Sequence, residues 1–391
     1  MDAIDDLPSD NFPTAGYDWT FLKRSSDLAE PFCWAYGLLR YRLFAPLDAN
    51  KFDNSTSKVI EVAKRLFILA TAAITVAFTG TPIYIASVAL GISCKIFRIL
   101  GVALQKNQFT HIKGGAAEKN LEEGKASVMT WNLCGHSGGL HYVDNGVIHW
   151  SSRLDQLVEK IKIENPDILV LQEIYDTRFA EKLIEKLSGE YAHFFTHLGI
   201  NTWGAAGGCM IITKLACHSF THTDFENNDP LVNQGFETLE IKASPNDAKP
   251  CLRIIGTHIT KNDPKESMEQ VAQIVDSLKS KIHTLPTVLA GNINNEADLS
   301  KYLYHSNRWE VTSTDGLTNQ WINDPGKKHV MSDFVSLFKR NLPCGTSLPV
   351  TERKIRMLDC HLIEAFDKEL NTKTALSNHH GIITLIDGLT K

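Results

Sequence analysis

The pattern of apolar and charged residues divides the chain into two unlike parts. In the first part, no charged residue occurs between Leu66 and Cys94, a run written LFILATAAITVAFTGTPIYIASVALGISC. A membrane-spanning helix takes about 20 apolar residues, so this run is long enough to cross a bilayer once. Gly80 and Pro82 interrupt it near the middle, and basic residues flank both ends. This pattern favours a hairpin that enters the membrane and returns to the same, cytosolic face.

Two other interpretations of this run stay open, a single membrane span and a buried helical hairpin in a soluble protein. The earlier segment PFCWAYGLLRYRLFAPL mixes aromatic and basic residues, which is typical of a helix in the membrane interface. We therefore predict membrane association through about residues 31–100, with the remaining chain on the cytosolic side or exported to a host membrane. The predicted division is a helical membrane-associated region at 1–104, a polar linker at 105–126 and a catalytic domain at 127–391.

In the second part, short apolar strands alternate with amphipathic helices. Helical spacing marks the segments SRLDQLVEKIKIE, TRFAEKLIEKLSG and PKESMEQVAQIVDSLKSKI. Strand patterns occur in ASVMTWNLC, DILVLQE, GGCMIIT, FETLEIKAS, CLRIIGTHI, PTVLAGN, IRMLDCHLIEAF and HGIITLID. Several of these strands follow one another without a helix between them, which excludes a purely parallel βαβ array. We predict an α+β fold with two mixed sheets packed face to face and helices outside, a four-layer α-β-β-α sandwich.

Composition and charge narrow the possible functions. The 391 residues carry a net charge of −5, which argues against broad affinity for nucleic acid, because proteins that neutralise many phosphates carry a basic surface. The eight cysteines form no C-x-x-C pair, so we expect free thiols in a reducing compartment. The acidic start MDAIDDLPSD lacks the basic region of a secretory signal.

Polar side chains that are costly to bury recur at the ends of the predicted strands. They are Asn132, Glu173, His258, Asn292, Asn294 and His379, and Asp359 lies inside a strand. Each has an ordinary explanation when taken alone. Glu173 could cap the following helix, His258 could be a satisfied core histidine, and Asn292 could be a turn residue. Because several separate strands each present such a residue at one end, we expect a shared functional site.

The order of these motifs resembles the endonuclease/exonuclease/phosphatase superfamily, which includes pancreatic-type deoxyribonuclease, abasic-site endonuclease and the neutral sphingomyelinases. The motifs are N in TWNLC, QE in VLQEIYD, TH in GTHITKND, G-x-x-N in AGNIN, D in RMLDC and S-x-H in LSNHHG, within about residues 127–387. The chain looks most like the membrane-bound neutral sphingomyelinases. This likeness is carried by LQEIYDTRFAEKLIEKL and GTHITKNDPKESMEQVAQI, and FTGTPIYIASVALG is similar to part of their membrane-inserted segment.

The resemblance implies Mg²⁺-dependent hydrolysis of a phosphodiester by in-line attack of water. Glu173 would be the Mg²⁺ ligand with Asn132 beside it, which suits an ion that keeps several waters and takes few protein ligands. His258 would donate to a phosphate oxygen. His379 would act as general base or phosphate ligand, and Asp359 would orient its imidazole. The substrate would be a membrane lipid, sphingomyelin or a related phospholipid, at a membrane surface.

The chain departs from the family pattern at three positions. It has Gly-Asn-Ile-Asn at 291–294 where the family has Gly-Asp-x-Asn, so Asn294 matches the family and Asn292 does not. It has Asn378 where the family has the Asp of Ser/Thr-Asp-His, and Gln234 where sphingomyelinases tend to have Lys. An Asp-to-Asn change keeps the shape but removes the charge and the proton acceptor. The change at 292 removes the group that would orient or deprotonate water, and the change at 378 weakens the negative field around a metal.

Two interpretations of these changes stay open. In the first, His379 with Asp359 is the working base and the protein is an attenuated phosphodiesterase. In the second, the protein is a catalytically dead pseudoenzyme that binds membrane lipid or acts as a scaffold. A nuclease of the same fold is a further alternative, which the negative charge and the apolar segment disfavour. We expect no nucleic acid as a partner, and no pattern in the chain indicates a protein partner.

Overall fold

The structure is a computed structural model whose described residues lie mainly beyond Phe109. These residues are 63, 66–67, 69–71, 109–135, 147, 149–196, 208–226, 234–259, 264–281, 285–292, 309–313, 333–340, 356–363, 377 and 381–389. All elements, contacts and pairings given below belong to them.

The first sheet holds seven strands within the described ranges. In spatial order they are β1 (Thr110–Lys113), β4 (His193–Thr196), β5 (Met210–Thr213), β3 (Ile168–Gln172), β2 (Ala126–Asn132), β13 (Gly381–Asp387) and β12 (Arg356–Ile363). Strands β2 and β3 are parallel neighbours, and the other neighbours are antiparallel. Every residue of β3 is buried, as expected for a central strand that is covered on both faces.

The second sheet holds six strands within the same ranges. In spatial order they are β10 (Trp309–Ser313), β11 (Asp333–Arg340), β9 (Thr287–Asn292), β8 (Pro250–His258), β7 (Gly235–Lys242) and β6 (Cys217–Asp224). Strands β8 and β9 are parallel, and α3 (Pro264–Lys281) makes the crossover that a parallel pair requires. Burial alternates along the second half of β7, so Leu239 and Ile241 face the core.

Two helices cover the outer face of the first sheet. They are α1 (Leu154–Glu164), preceded by a 3₁₀ turn at Trp150–Ser152, and α2 (Thr177–Leu187). Helix α1 ends at Asn165, whose φ of 51° is left-handed, a conformation that Asn tolerates better than most residues. The Asp176 side chain accepts from the backbone N–H of Arg178 and so caps the start of α2.

The core between the sheets joins residues of both. Apolar side chains of the first sheet meet those of the second in one buried cluster that includes Val128, Val170, Ile211, Leu239, Ile254 and Val288. A second cluster lies between the first sheet and the helices, and includes Trp131, Leu171, Leu157, Phe179 and Leu183. The predicted α+β class, with two mixed sheets face to face, is therefore confirmed.

The segment interpreted as a linker contributes to the folded part. Strand β1 pairs with β4 at the edge of the first sheet. Phe109, just before β1, packs against Phe220 of β6 with ring centroids 4.7 Å apart. Short edge strands of this kind carry little periodicity, and polar residues surround β1, so the sequence pattern did not indicate this strand.

The predicted membrane region falls almost entirely outside the described residues. Only 63, 66–67 and 69–71 are described there, as helical positions, and Leu66, Phe67 and Leu69 are exposed. Within the described part of the chain, no helix is both long and apolar enough to cross a membrane. The membrane segment therefore stays a prediction.

Candidate functional site

The site begins where the parallel strands β2 and β3 end at the same edge of their sheet. Their register pairs Asn132 with Gln172, so Glu173 follows directly beside Asn132. The Nδ2 atom of Asn132 donates to Oε1 of Glu173 over 2.7 Å. Its Oδ1 atom accepts from the backbone N–H of Cys134 over 3.0 Å, which fixes the direction in which the amide faces. The buried Asn132 therefore holds the Glu173 carboxylate in place.

The backbone around Glu173 is locked in an uncommon conformation. Glu173 has a φ of 60° and Cys134 a φ of 49°, both in the left-handed region that non-glycine residues seldom occupy. The N–H of Gly135 donates to the carbonyl of Glu173 over 2.7 Å, and the N–H of Ile174 donates to the carbonyl of Gly208 over the same distance. Such strain persists only where the surroundings enforce it, and it gathers at functional sites.

A buried arginine, Arg153, supports this loop through a hydrogen bond to its backbone. Nη2 of Arg153 donates to the carbonyl of Cys134 over 2.6 Å, and the side chain is almost wholly buried. Burial lowers the pKa of Arg153 to about 10, although the nearby Cys134 and Glu173 oppose this lowering. The guanidinium therefore stays charged at neutral pH and places a positive charge beneath the negatively charged site.

His258 reaches the same place from the second sheet. It ends β8, and its Nε2 atom lies 3.9 Å from Oε1 of Glu173. Its other ring nitrogen, Nδ1, lies 3.4 Å from the hydroxyl of Tyr175. Burial, with Glu173 and Cys209 nearby, raises the pKa of Tyr175 well above its usual value, so the phenol stays neutral. Strand ends of both sheets thus contribute side chains to the site.

Asn292 lies next to His258 in the parallel register of β8 and β9. It is also paired with Asp333 on the other side, and its own side chain is buried. Gly291 allows this close approach, because a Cβ there would lie 2.1 Å from the carbonyl oxygen of Thr257. The position predicted to lack its acid is therefore at the sheet edge beside His258.

Ser377 ties a distant part of the chain to the site. Its buried hydroxyl donates to the carbonyl of Asn132 over 2.6 Å and lies 3.4 Å from the Sγ atom of Cys134. Asn378 and His379 follow Ser377 directly in sequence, but they lie outside the described residues, as does Asn294.

Asp359 falls at an irregularity in the pairing of β12 with β13. Leu358 pairs with Leu385 and Cys360 with Thr384, so Asp359 is the extra residue. Bulges of this kind re-aim side chains and are frequent beside active sites. Only the backbone of Asp359 is described, and its pairing with His379 stays a prediction.

Sequence reasoning found the ends of the strands but not the residues that support them. Tyr175 follows the QE motif by two residues, and Ser377 begins the S-x-H motif, so both signals were available in sequence. Arg153 offered only a basic residue at the start of a helical pattern. Gln234 lies just before β7, where its carbonyl accepts from the N–H of Phe225, and the predicted departure from the family at this position stays a prediction. Where the structure describes the chain, no group of three or more His, Cys, Asp or Glu side chains is arranged for a metal.

A buried charge cluster lies further along the second sheet, on β6 and β7. The ring of His222 is held by Oε1 of Glu237 at Nδ1 over 3.1 Å and by Oδ1 of Asp224 at Nε2 over 2.9 Å. Burial of the ring opposes its charge, but the hydrogen bonds to Asp224 and Glu237 raise the pKa of His222 to about 9. Burial also raises the pKa of Glu237, against the attraction of His222. Gly235 makes room, because a Cβ there would lie 2.7 Å from the imidazole.

Comparisons with known proteins show the fold of the chain. No protein-family model matches the sequence. Protein angel homolog 2 from Bos taurus is 24% identical over 188 residues, which cover 43% of this chain and 34% of that protein. The chain thus spans about a third of the length of this curated relative.

Three solved structures resemble the chain over about two thirds of its length. SmcL is 17% identical in sequence, and the match covers 68% of this chain and 99% of the SmcL chain, with a TM-score of 0.50. TDP2 from D. rerio, in complex with a single-strand DNA product, is 16% identical over 67% of this chain and 99% of its own, with a TM-score of 0.50. Sphingomyelinase C from Streptomyces griseocarneus is 18% identical over 66% and 98%, with a TM-score of 0.48. The predicted resemblance to the endonuclease/exonuclease/phosphatase superfamily is confirmed at the level of the fold.

Proposed function

We propose that the protein is a Mg²⁺-dependent phosphodiesterase of neutral sphingomyelinase type. It hydrolyses a phospholipid head group at a membrane, at a rate lowered by Asn292 and Asn378. The observation that carries this proposal is the meeting of Asn132, Glu173 and His258, from both sheets, at one edge. The order of the sequence motifs supports the same class of reaction.

The residues present suit Mg²⁺. Glu173 offers a carboxylate that Asn132 holds at one oxygen, in a side chain that keeps 15% of its exposure. One carboxylate with few protein ligands is a donor set that Mg²⁺ accepts, since it keeps several waters and binds phosphate oxygens. Asn378 would add a neutral oxygen donor, whereas Asn132, whose Oδ1 atom accepts from Cys134, would hold Glu173 through its Nδ2 atom. When bound, Mg²⁺ supplies Lewis-acid stabilisation of the charge on the phosphate.

The other side chains bind the phosphate and handle the proton. His258 donates from Nε2 to a phosphate oxygen. Asn292 and Asn294 orient the attacking water, but an amide cannot take its proton. His379 takes that proton as general base, with Asp359 holding its imidazole and stabilising the imidazolium.

A binding-only role is the second candidate, and one observation favours it. Asn292 is buried beside His258 at the position where the related family has its acid. A general base is typically worth roughly 10²–10⁴-fold in rate, so its absence can reduce turnover to background. The protein would then hold a lipid head group at the membrane without cleaving it.

Release of phosphocholine from sphingomyelin vesicles tests the enzyme proposal. We expect slow release by the full chain, which EDTA abolishes and which Glu173→Gln reduces to background. Asn292→Asp should raise the rate by roughly 10²-fold or more. Asn246→Asp is the matched control, because it places the same charge on the exposed turn between β7 and β8, away from His258. This control should leave the rate unchanged.

The outcomes separate the candidates. Absence of release by the wild type, together with release by Asn292→Asp, would assign the binding role. Release by the wild type that His379→Ala abolishes would exclude that role. Cleavage of single-stranded DNA without any release from sphingomyelin would identify a nuclease instead, an alternative that the net charge of −5 disfavours.

Membrane association has its own test. We infer that residues of about 31–100 attach the protein to the membrane surface, on the basis of their apolar and aromatic pattern. The full chain should sediment with liposomes, and a chain that lacks residues 1–105 should stay in solution. A shortened chain that still sediments would place the main attachment elsewhere.

A further inference from the structure

The ring of Tyr175 is held firmly beside the site. Tyr175 lies in the loop between β3 and α2, two residues after Glu173. The N–H of Ile174 donates to the carbonyl of Gly208 over 2.7 Å and fastens this loop to the start of β5. A Cβ at Gly208 would lie 2.5 Å from Cε1 and 2.8 Å from Cδ1 of the Tyr175 ring, so the ring rests on the glycine. Gly208 also has a φ of +79°, and both features exclude larger residues there.

The Tyr175 hydroxyl contacts one nitrogen of the His258 ring, and Glu173 faces the other. The hydroxyl oxygen is 3.4 Å from Nδ1, and Oε1 of Glu173 is 3.9 Å from Nε2. An ionised carboxylate only accepts hydrogen bonds, so a protonated Nε2 is favoured on the side of Glu173. In the neutral ring, Nδ1 is then the acceptor, and the hydroxyl of Tyr175 lies where it can donate to it.

We propose that Tyr175 is a positioning residue that holds His258 as the Nε2–H tautomer, with Nε2 turned toward Glu173. The hydrogen bond at one ring nitrogen decides which form the other takes, as in many sites that use histidine. Gly208 contributes to the same arrangement, because the absence of a side chain there lets the phenol of Tyr175 reach His258.

The consequence for turnover rests on the proposed function, whereas the contact itself does not. In the proposed reaction, Nε2 must carry a proton in order to donate to a phosphate oxygen. Without the hydroxyl of Tyr175, the Nε2–H tautomer of a neutral His258 would be favoured less strongly, and a smaller share of the rings could donate. A loose ring would also lose orientation, to which catalytic steps are sensitive.

Nitrogen NMR of the full chain with ¹⁵N-labelled histidine tests the proposal directly. The His258 signals are identified by their loss in His258→Gln. At mildly alkaline pH, the wild type should show the Nε2–H tautomer. Tyr175→Phe removes only the hydroxyl and should introduce the Nδ1–H form.

Tyr191→Phe is the matched control. Tyr191 is a buried tyrosine whose hydroxyl donates to the carbonyl of Pro166 over 3.0 Å, near the start of β3 rather than its end. This variant loses an equivalent buried hydroxyl and should leave the His258 signals unchanged.

Kinetics provide the second readout. For phosphocholine release, Tyr175→Phe should lower kcat by about three- to tenfold, the effect expected when one hydrogen bond is lost, while KM stays within about twofold. Tyr191→Phe should change neither constant.

The outcomes are distinct for the two proposals. Identical His258 signals in the wild type and Tyr175→Phe, or an Nδ1–H tautomer in the wild type, would overturn the role of Tyr175. A wild type that releases no phosphocholine contradicts the proposed hydrolysis, and the NMR spectra still decide on Tyr175. Gly208→Ala, if it folds, should displace the phenol and reproduce the spectrum of Tyr175→Phe. If it does not fold, Tyr175→Phe alone decides.

Discussion

Replacing His222 by glutamine should destabilise the protein by about 3 kcal/mol near neutral pH. Its side chain is 1% exposed and lies between the carboxylates of Glu237 and Asp224. Although burial opposes the charge, these hydrogen bonds raise the pKa of His222 from 6.5 to about 9. At about 1.36 kcal/mol per pH unit, this rise corresponds to roughly 3 kcal/mol. Removing one partner of a buried ion pair typically costs about 3–5 kcal/mol, because the other charge is left buried.

The stabilisation by His222 should depend on pH in a definite direction. Its folded pKa of about 9 lies above the unfolded value of 6.5. The contribution is therefore complete below about pH 6.5 and is lost as the pH rises through about 9. The free energy of unfolding of the wild type should fall across this window.

A second substitution should rescue the first. Burial raises the pKa of Glu237, so its ionised form is costly once His222 is gone. Adding Glu237→Gln to His222→Gln removes that charge and should restore about 2 kcal/mol. The control is His218→Gln on the same strand, where a half-buried histidine lies near Glu240 and the loss should stay below about 1 kcal/mol.

Urea unfolding of all four proteins at about pH 6.5 and about pH 9.5, with midpoint and slope compared, measures these free energies. The reasoning would be refuted by a cost below about 1 kcal/mol for His222→Gln at the lower pH. It would equally fail if the double variant were no more stable than His222→Gln alone.

Three further predictions concern the candidate site. Gly291→Ala should lower the free energy of unfolding by about 2 kcal/mol or more, since the new Cβ would lie 2.1 Å from a backbone carbonyl oxygen of β8. The control is Gly189→Ala, whose Cβ would meet nothing within 4 Å and which should leave the free energy unchanged in the same urea titration. Ser377→Ala removes the hydrogen bond to Asn132, so we expect a loss of about 1 kcal/mol and slower phosphocholine release; an unchanged rate would show that this bond does not support the site. Mg²⁺ should raise the thermal midpoint of the wild type but not that of Glu173→Gln, and equal shifts in calorimetry would mean that the ion binds elsewhere.

The strands that sequence patterns predicted carry an apolar run or an alternation long enough to be visible in the sequence. Strand β3, ILVLQ, is a continuous apolar run because both of its faces are covered. Strand β6, CHSFTHTD, was missed because its buried residues include His222, and a histidine does not contribute to an apolar alternation. The carboxylates of Glu237 and Asp224 balance the charge of this ring inside the protein. Strand β4, HFFT, was missed because four residues are too few for periodicity.

The candidate site could be predicted wherever a polar residue ends a buried strand. Asn132, Glu173, His258 and Asn292 all follow this rule, and the structure places them at the predicted sheet edges. Their ligand and catalytic roles stay predictions. The contact of Tyr175 with His258 spans 83 positions in sequence, and no local pattern reports a contact of that range.

The bond from Ser377 to Asn132 joins residues 245 positions apart, and β13, which follows Ser377, lies between β2 and β12. Contacts of such long range form late, because a large loop must close before they contribute any stability. During synthesis, β2 would leave the ribosome long before its neighbour β13 exists, with one edge temporarily open to other strands. The site around Glu173 should therefore form only once folding is complete, since a partly made chain lacks both the strand beside β2 and the hydroxyl that binds Asn132.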